Sequence, residues 1–404
     1  MKKYKFYYSI VDTFPPFRVD IVELFGMLKR LNMLDAEWYM SRHKASTRTI
    51  EFYEGQKVNL PIKLSSNHIF ARMLNKCLYW VCDIASLLRC LFKPIDLIQV
   101  RDKYLAAIIG LIVARLKGAK FVYWCSYPFP EHDFESYLAE KSIKKYFYYL
   151  RAKLGKLVLY RVVMPRSDHV FVQSEQMKSD IVQYGISSKL MTAVPMGVPQ
   201  RLLEWTQHNQ IEVVKGRVVY LGTLAAIRQL HVLIDAFSLV QKQHPVATLL
   251  IVGDGTYPYE KTALEAYVDR LGLTHAVKFT GFVPITDAWS YSASASVCVS
   301  PFAPTKILAS TSPTKLMEYM ALGRPVVCNS HPEQSEIIKQ SGAGLCVNWG
   351  AHDFAQAILW MLQHPEEAEA MGKKGPDWVA EHRTYHTIAS DVWHQYLEIL
   401  REKV

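Results

Sequence analysis

The chain has 404 residues, of which 50% are hydrophobic and 21% are charged, and its formal net charge is +10. This composition is typical of globular proteins and excludes a fibrous or an intrinsically disordered chain. The length exceeds what one hydrophobic core usually organises, so we expect two domains of roughly 200 residues each.

Short β-type runs alternate with helical stretches in the first half of the chain, which predicts α/β architecture with parallel sheets and crossover helices. Residues 1–10 alternate lysine with aromatic side chains and lack the apolar stretch of a secretory signal. They are therefore predicted to form a first strand and not a signal peptide. Strands are predicted at 5–10, 97–100, 121–125 and 169–173, and helices at 19–31, 103–117 and 176–184.

Two features of the sequence favour a cytoplasmic protein. The most hydrophobic segment, 77–92, contains Asp83 and Arg89 and is shorter than the roughly 20 apolar residues that span a bilayer. The seven cysteines form no CxxC pair and are odd in number, which favours reduced, buried thiols over disulfides. Any membrane contact is therefore expected to be peripheral.

The positive charge is concentrated in residues 141–166, which contain eight Lys or Arg residues, no acidic residue and many aromatic and aliphatic side chains. Such a segment suits an anionic membrane surface, where each basic side chain near the headgroups contributes about 1 kcal/mol. A solvated basic face on a helix that packs against the core fits the same pattern. Nucleic acid is not expected as a partner, because no nucleic-acid-binding signature accompanies the charge.

The alternation pauses at residues 193–199, where two prolines and a glycine indicate a hinge between domains. We expect one Rossmann-like domain at 1–199, a second at 200–385, and a terminal helix at 386–404 that packs back on the first. Their parallel sheets are expected to face each other across a cleft. In the second series, strands are predicted at 218–221, 248–252, 277–280, 295–300 and 325–328, and helices at 230–243, 259–271 and 314–322.

Three turns of the second series could bind a phosphate, since a turn of small residues between a strand and a helix exposes backbone N–H groups. In the first, Gly222 lets a ligand approach the backbone and Arg228 could donate to a diphosphate, although an arginine in such a turn is also ordinary. The second lies at Gly253 and is equally consistent with a simple tight turn. Neither turn is specific by itself.

The third turn precedes a predicted helix that begins with Pro313 and Thr314 and ends before Gly323. Glu318 lies four residues beyond Thr314 on the same helix face, so its carboxylate could point toward the pocket at the helix N-terminus. A carboxylate does not bind phosphate, but it accepts hydrogen bonds from vicinal hydroxyls such as those of a ribose. The combination predicts a site for a nucleoside diphosphate.

The order and spacing of these segments closely resemble the donor domain of family 4 glycosyltransferases of GT-B fold, roughly over residues 168–347. The resemblance implies retaining transfer from a nucleotide-sugar without an obligatory metal or cofactor, with basic side chains and helix dipoles stabilising the diphosphate. It implies that Arg228 and Lys315 hold the diphosphate and that Glu318 holds the ribose. The further donor-binding residues that it implies are Gly222, Thr223, Gly253, Pro313 and Thr314, with Phe282 and Val283 at the base.

Several positions depart from the family pattern. Members usually carry two glutamates eight positions apart, whereas Ser310 stands eight residues before Glu318. Thr223 stands where a frequent Gly-Arg turn has its arginine. The Pro-Thr-Lys form at residues 313–315 is similar to that of bacterial polysaccharide-assembly transferases. Its Lys315 is a candidate to compensate for the missing arginine and glutamate.

The first half resembles the family less, and its acceptor-binding residues are not identifiable from the sequence. A family histidine that contacts the donor sugar is expected near Ser126, so His132 in the loop that follows is a candidate for this role, or else a solvated loop residue. Arg101 and Asp102 follow a predicted strand and either reach the cleft or form an ion pair that caps the next helix. A second histidine pattern, His382 and His386, has zinc-ligand spacing on a helix but no third ligand nearby, so we expect no metal site.

The leading interpretation is a glycosyltransferase that moves a sugar from a nucleotide-sugar to a lipid-linked or growing-glycan acceptor at the inner face of a membrane, in surface polysaccharide synthesis. Residues 1–199 are expected to bind the acceptor. One alternative is a sugar-nucleotide epimerase or hydrolase of similar fold. Another is a catalytically silent subunit that binds a nucleotide-sugar, which Thr223 and Ser310 would suit. A dehydrogenase is disfavoured because no GxGxxG follows the first strand.

Overall fold

The computed structural model describes residues 3–16, 20–26, 34–42, 44–53, 55–65 and 68–401. These residues form two compact units, of which the first comprises the chain up to Pro195 together with the part from Ile388 onward. The second unit runs from Met196 to Thr387. Each unit carries its own sheet and helices, so the predicted α/β architecture is confirmed.

The first unit is built on a mixed sheet. In chain order its strands are Tyr4–Phe14 (β1), Leu34–Arg42 (β2), Ile50–Tyr53 (β3), Gln56–Asn59 (β4), Leu97–Arg101 (β5), Lys120–Cys125 (β6), His169–Val172 (β7) and Met191–Ala193 (β8). Their spatial order is β3-β4-β2-β1-β5-β6-β7-β8, and every pair is parallel except β3 with β4. The sequence pattern did not indicate this antiparallel edge, because both strands of the hairpin are only 4 residues long.

The helices of the first unit lie between these strands in the chain. Its α-helices before residue 195 are Ile69–Arg89 (α1), Tyr104–Lys117 (α2), Phe129–Ala139 (α3), Lys144–Lys156 (α4) and Glu175–Val182 (α5). Shorter π- or 3₁₀-helical segments are Asp20–Phe25, Cys90–Phe92, Leu157–Val163, Met164–Arg166 and Ser188–Leu190. The predicted helix 19–31 falls partly outside the described residues, since only 20–26 of it are described.

The most hydrophobic segment of the sequence lies in α1 and the short helix that follows it. Among the described residues, no helix combines the length and the apolar character needed to cross a bilayer. The expectation that the cysteines are buried is wrong for Cys77 on α1 and for Cys346 in the second unit, which are both exposed. Cys77 lies on the outer face of an amphipathic helix, and that face cannot be identified from cysteine spacing.

The sheet of the second unit is parallel throughout. Its strands are Arg217–Leu221 (β9), Thr248–Val252 (β10), Val277–Phe279 (β11), Val297–Ser300 (β12), Val326–Asn329 (β13) and Gly344–Val347 (β14). Their spatial order is β11-β10-β9-β12-β13-β14. Because the chain order reverses between β9 and β12, the carboxyl ends of these two strands border the crevice in which open parallel sheets bind ligands.

The helices of the second unit alternate with its strands. In chain order they are Gln200–His208 (α6), His231–Gln243 (α7), Pro258–Arg270 (α8), Ile285–Ala293 (α9), Lys306–Ala309 (α10), Thr314–Ala321 (α11), Pro332–Ser341 (α12), Ala351–Gln363 (α13), Pro365–Gly372 (α14) and Gly375–His382 (α15), with a 3₁₀ turn at Ala226–Arg228. Each element predicted between residues 218 and 328 is present, and its ends lie within two residues of the predicted ones.

The last helix, Tyr385–Arg401 (α16), returns the chain to the first unit from Ile388 onward. Its Tyr396 ring packs edge-on against Phe6 of β1 and Phe171 of β7, with centroid distances of 5.1 and 5.3 Å. The Tyr396 hydroxyl donates to Gln99 Oε1 at 2.6 Å. The chain therefore passes between the units twice, after Pro195 and before Ile388.

Candidate functional site

Two glycine turns meet at the carboxyl ends of β9 and β10. The N–H of Gly222 donates to the carbonyl of Val252 at 2.9 Å, and the N–H of Leu224 donates to the carbonyl of Asp254 at 3.0 Å. A Cβ atom on Gly253 would lie 2.0 Å from the carbonyl oxygen of Gly222, and its φ of +134° also favours glycine. The first two predicted turns are thus one structure, in which glycine is required for close backbone contact.

Lys315, which follows the third turn, extends its side chain to the two glycine turns. A Cβ atom on Gly222 would lie 3.1 Å from Lys315 Nζ, so the lysine side chain passes directly beneath the first glycine turn. Its Nζ lies 4.1 Å from the ring centroid of Tyr220 and 5.2 Å from that of Phe302. The structure therefore brings Gly222, Gly253 and Lys315 together, as their predicted roles require.

Lys315 is a buried cation, with 8% of its surface exposed. Its Nζ has no hydrogen-bond partner among the described residues. Burial lowers the pKa of Lys315 well below its usual range, and the nearby Arg228 guanidinium lowers it further, while Glu318 acts in the opposite direction. A buried ammonium without a partner is costly, and an anion close to Nζ would remove that cost.

Arg228 approaches from the 3₁₀ turn at Ala226–Arg228, which ends where Gln229 adopts a left-handed conformation with φ of +50°. The guanidinium lies 4.9 Å from the centroid of the Phe302 ring, and its Nη1 atom is buried without a partner among the described residues. Arg228 and Lys315 thus share the ring of Phe302. Two unpaired cations this close predict an anion that carries more than one negative charge.

Phe302 follows β12 and is held rigidly by Asn329. The N–H of Phe302 donates to Asn329 Oδ1 at 2.7 Å, and Asn329 Nδ2 donates to the Phe302 carbonyl at 2.8 Å. Tyr319 similarly joins α11 to β9, because its hydroxyl accepts a hydrogen bond from the N–H of Leu221 at 2.6 Å. Sequence patterns did not indicate a role for Phe302, Asn329, Tyr319 or the Tyr220 ring, although Tyr220 immediately precedes the strand end in the first turn.

Helix α11 directs its N-terminus into this site. Pro313 occupies the N-cap position and is buried, and Thr314 is the first helical residue. The N–H groups of the first turn carry a partial positive charge, which adds to that of Lys315. Glu318 stands one turn further along the helix.

The Glu318 carboxyl lies in a desolvated environment. Burial raises its pKa to about 7, although Lys315 lowers it in part. The group is therefore poised between its ionised and neutral forms near neutral pH. Either form can accept a hydrogen bond from a hydroxyl group, as the proposed ribose contact requires.

The remaining predicted donor residues border this centre. Thr223 is exposed, and its carbonyl accepts a hydrogen bond from the Tyr220 hydroxyl at 2.9 Å. Phe282, which follows β11, exposes 88% of its surface. Val283 packs partly against the core of the second unit. An exposed phenyl ring beside a glycine turn is available to a planar ligand.

His132 belongs to the first unit and lies in the first turn of α3. The prediction of a loop at this position is wrong, because the chain becomes helical at Phe129, with Pro130 in the first turn where its missing N–H carries no penalty. The His132 Nδ1 atom lies 3.1 Å from the Tyr127 hydroxyl. Its predicted contact with a donor sugar stays a prediction.

Ser126 is held by Asp102 at the carboxyl edge of the first sheet. The Asp102 carboxylate accepts hydrogen bonds from the N–H of Ser126, at 2.9 Å, and from its hydroxyl. The Arg101 guanidinium is buried, 2.5 Å from Asp20 and 3.6 Å from Asp102. The predicted ion pair is therefore present, and the N-cap residue of α2, Lys103, makes no side-chain cap hydrogen bond.

The two histidines with zinc-ligand spacing, His382 and His386, do not lie on one helix. His382 ends α15, whereas His386 lies in α16, so the predicted single-helix spacing is wrong. The chain turns at Arg383 between the two helices, and sequence spacing does not reveal that turn. Within the described part of the chain, no three His, Cys, Asp or Glu side chains form a group that could hold a metal ion.

Two family models match the chain. The model described as "Glycosyltransferase Family 4" matches residues 51–201, and the one described as "Glycosyl transferases group 1" matches residues 215–364. A Mycobacterium tuberculosis protein named "GDP-mannose-dependent alpha-(1-6)-phosphatidylinositol monomannoside mannosyltransferase" is 27% identical over 176 residues. That match covers 43% of this chain and 45% of the relative, so the chain spans about half the length of the curated relatives it matches.

Solved structures share the fold over nearly the whole chain. Sucrose-phosphate synthase from Thermosynechococcus elongatus is 17% identical, with a TM-score of 0.75 and coverage of 99% of this chain and 100% of that one. The Anabaena protein HepE, solved with UDP, is 17% identical, with a TM-score of 0.67 and coverage of 98% and 100%. At these identities the likeness shows the fold alone, and both sheets of that fold are present here.

Proposed function

The chain belongs to the family 4 glycosyltransferases of GT-B fold, and from this premise we propose that it transfers a sugar from a nucleotide-sugar to a lipid-linked or growing-glycan acceptor. The observation that carries the proposal is a pair of buried nitrogen atoms near the N-terminus of α11, Nζ of the buried Lys315 and Nη1 of the half-buried Arg228, which have no hydrogen-bond partner among the described residues. A nucleoside diphosphate has the charge to satisfy both. Glu318 stands one turn beyond Lys315, where a ribose attached to that diphosphate would lie.

The chemistry asked of these residues is stabilisation of a leaving group. When the bond between the sugar and the diphosphate breaks, negative charge grows on the diphosphate oxygens. Lys315, Arg228 and the first-turn N–H groups of α11 are already oriented, so they stabilise that charge without reorganising at the moment of reaction. We propose that these cations do the work that a divalent metal does in other transferases. Retention at the anomeric carbon is proposed from family membership.

The base and the sugar are open within this proposal. The mannosyltransferase relative is named for GDP-mannose, whereas HepE was solved with UDP and with UDP-glucose. Phe282 and Val283 are the residues proposed to contact the base. The name of the mannosyltransferase specifies a lipid-linked acceptor, which supports the lipid-linked form of the proposal.

A membrane surface is proposed as the place of reaction, on the evidence of α4. The predicted basic segment forms this helix and continues through the short helices that end at Arg166. Its outer face exposes large apolar side chains beside lysines, with Phe147 and Leu150 exposed by 62% and 56%. Exposed apolar side chains gain nothing from contact with water, whereas the boundary between headgroups and acyl chains accommodates both apolar and basic side chains.

The donor proposal is tested by thermal unfolding of the protein with UDP, GDP, ADP and their sugars. A ligand at about 100 times its dissociation constant adds about 2.7 kcal/mol to the stability. We expect stabilisation by one base series, with most of it lost in Lys315→Met and Arg228→Gln and retained in the exposed matched control Lys306→Met. If no nucleotide stabilises the protein, the donor site is refuted.

Assays of the purified protein with and without an added acceptor then distinguish the alternative activities. Sugar transfer that requires an added lipid or glycan acceptor supports the transferase. Release of the sugar to water, or its epimerisation without acceptor, supports a hydrolase or an epimerase. A silent subunit is favoured by Ser310, whose hydroxyl donates to the Lys306 carbonyl at 3.0 Å and supplies no carboxylate to the site. That alternative predicts donor binding without turnover.

The membrane proposal has a separate test. We expect co-sedimentation with vesicles of phosphatidylglycerol and much weaker binding to phosphatidylcholine, because the lysines of α4 attract anionic headgroups. The double charge reversal Lys144→Glu with Lys153→Glu should weaken binding at least tenfold, since each basic residue contributes about 1 kcal/mol. Lys189→Glu, an exposed lysine elsewhere in the first unit, is the control. Equal binding to both kinds of vesicle would contradict the proposal.

A further inference from the structure

The segment that leads into α11 is held at both of its ends by the first turn of α12. This connecting segment comprises residues 308–312, from the last two residues of α10 to the residue before Pro313. His331, the N-cap residue of α12, contacts one end of it, and Glu333 contacts the other. Neither residue is part of the cation centre described above.

His331 binds the first end in a defined uncharged form. Its Nδ1 atom accepts hydrogen bonds from the N–H groups of Glu333 and Gln334, at 3.2 and 3.4 Å. Its Nε2 atom lies 2.9 Å from the carbonyl oxygen of Leu308, which can only accept, so Nε2 carries the proton. One imidazole ring therefore caps α12 and fixes the start of the connecting segment at the same time.

Glu333 binds the other end through one oxygen. Its Oε1 atom accepts hydrogen bonds from the Ser312 hydroxyl at 2.7 Å and from Arg383 Nη1 at 2.8 Å. The Ser312 Oγ atom in turn accepts a hydrogen bond from the N–H of Met196 at 2.9 Å. Ser312 is the residue before Pro313, the N-cap residue of α11, so Glu333 contacts the chain directly before that helix.

We propose that His331 and Glu333 are positioning residues that hold the first turn of α11 in the orientation at which Lys315 and the helix N–H groups receive a diphosphate. The inference rests on the proposed function for its ligand. The contacts themselves are independent of that ligand. The proposal concerns the placement of binding groups, and it assigns neither residue a contact with the substrate.

The energetics favour a positioning role over a purely stabilising one. Glu333 has a buried Oε2 atom without a partner among the described residues, and burial raises the pKa of its carboxyl despite the Arg383 and Ser312 contacts. Burial likewise lowers the pKa of His331, as does the nearby Arg228. A buried ion pair of this kind contributes little net stability compared with apolar residues of the same size. Its consequence is a specific geometry at Ser312.

The contacts are tested first without any ligand, by hydrogen–deuterium exchange of peptides that cover residues 308–318. We expect at least tenfold faster exchange in this region in Glu333→Gln and in His331→Ala. The matched control is Glu336→Gln, an exposed glutamate on the same helix, which should exchange as the wild type does. Wild-type exchange in Glu333→Gln would overturn the proposal, whatever the ligand of the site is.

The second measurement is the dissociation constant of the nucleoside diphosphate that stabilises the wild type. We expect it to rise about tenfold in Glu333→Gln and in Ser312→Ala. Val240→Ala, a core truncation in the second unit, serves as a destabilised control that should keep the wild-type affinity. Equal losses of affinity and stability in all three variants would mean a structural role and would overturn the proposal.

The two proposals fail in distinguishable ways. If the wild type binds no nucleotide, the proposed function fails, and the exchange experiment still decides whether α12 holds α11. If Lys315→Met loses nucleotide binding while Glu333→Gln binds and exchanges as the wild type does, only the positioning role fails.

Discussion

Each unit of the molecule buries a lysine, and the two lysines differ in what surrounds them. Lys103 in the first unit exposes 2% of its surface, and its Nζ donates to Asp83 at 2.9 Å and to the Ser9 hydroxyl at 3.0 Å. Ser9 in turn donates to the other Asp83 oxygen at 2.7 Å. Lys315 in the second unit has two aromatic rings beside it and no hydrogen-bond partner among the described residues.

This difference distinguishes Lys103, which serves the fold, from Lys315, which is available to a ligand. A buried charge that pairs with a carboxylate is compatible with a finished fold, whereas a buried charge without a partner indicates a ligand that binds from outside. Aromatic rings surround both lysines, since Lys103 Nζ also lies 4.6 Å from the centroid of the Tyr39 ring. The carboxylate is therefore what distinguishes the two sites.

The largest expected effect comes from removing the partner of Lys103. Asp83→Ala leaves a buried ammonium unpaired in the first unit, so we expect a loss of about 3–5 kcal/mol in the free energy of unfolding. Urea denaturation measures it, with Asp391→Ala, an exposed acid in the same unit, as the control. A loss below about 1 kcal/mol would mean that the two lysines are energetically alike.

The pH dependence of stability tests the second unit. Because the pKa of Glu318 is raised to about 7, the native state holds a proton that the unfolded state releases near its ordinary pKa of about 4.3. The contribution of Glu318 to stability therefore declines as pH rises between these values, by up to about 1.4 kcal/mol per pH unit.

Glu318→Gln should remove this decline, so the stability difference between variant and wild type should grow from pH 4.5 to pH 7. Urea titrations at half-unit steps measure that difference. A difference that is independent of pH would contradict the desolvated state of Glu318.

Lys315→Met should have an effect of opposite sign to that of Asp83→Ala. Replacing an unpaired buried ammonium by an apolar side chain removes a desolvation cost, so we expect the ligand-free protein to gain about 1–3 kcal/mol in stability. The same variant should lose the stabilisation by nucleotide. Lys306→Met, an exposed neighbour, should do neither. Destabilisation by Lys315→Met would show that this lysine, like Lys103, serves the fold.

The smallest expected effect concerns Cys346, a thiol of the second unit that has hydrogen-bond partners. Cys346 on β14 pairs in register with Cys328 on β13, and hydrogen bonds from Cys328 and Ser335 lower its pKa to about 6. We expect its alkylation by iodoacetamide to show a midpoint near pH 6. In Cys328→Ala the midpoint should move up toward the ordinary thiol pKa of about 8.5, which peptide mass spectrometry would detect. An unchanged midpoint would exclude Cys328 as the donor.

The sequence by itself determined the architecture and most elements of the second unit. Strand and helix periodicity located elements such as 248–252 and 314–322, because a parallel sheet needs continuous apolar strands and its crossover helices need amphipathic ones. The same patterns did not indicate the β3–β4 hairpin, and they wrongly predicted a loop at the start of α3. Short edge strands and proline-rich turns carry too little periodicity to be recognised.

For the site, the sequence indicated Gly222, Gly253, Arg228, Lys315 and Glu318 as a group, since glycine turns at strand ends and a helix N-terminus suit phosphates. It could not indicate that Lys315 and Arg228 are unpaired or that both lie against Phe302. It also could not show that α12 holds the segment before α11. Only the tertiary structure decided these features, because pairing and burial depend on side chains distant in the chain, and local sequence patterns do not record which of them meet.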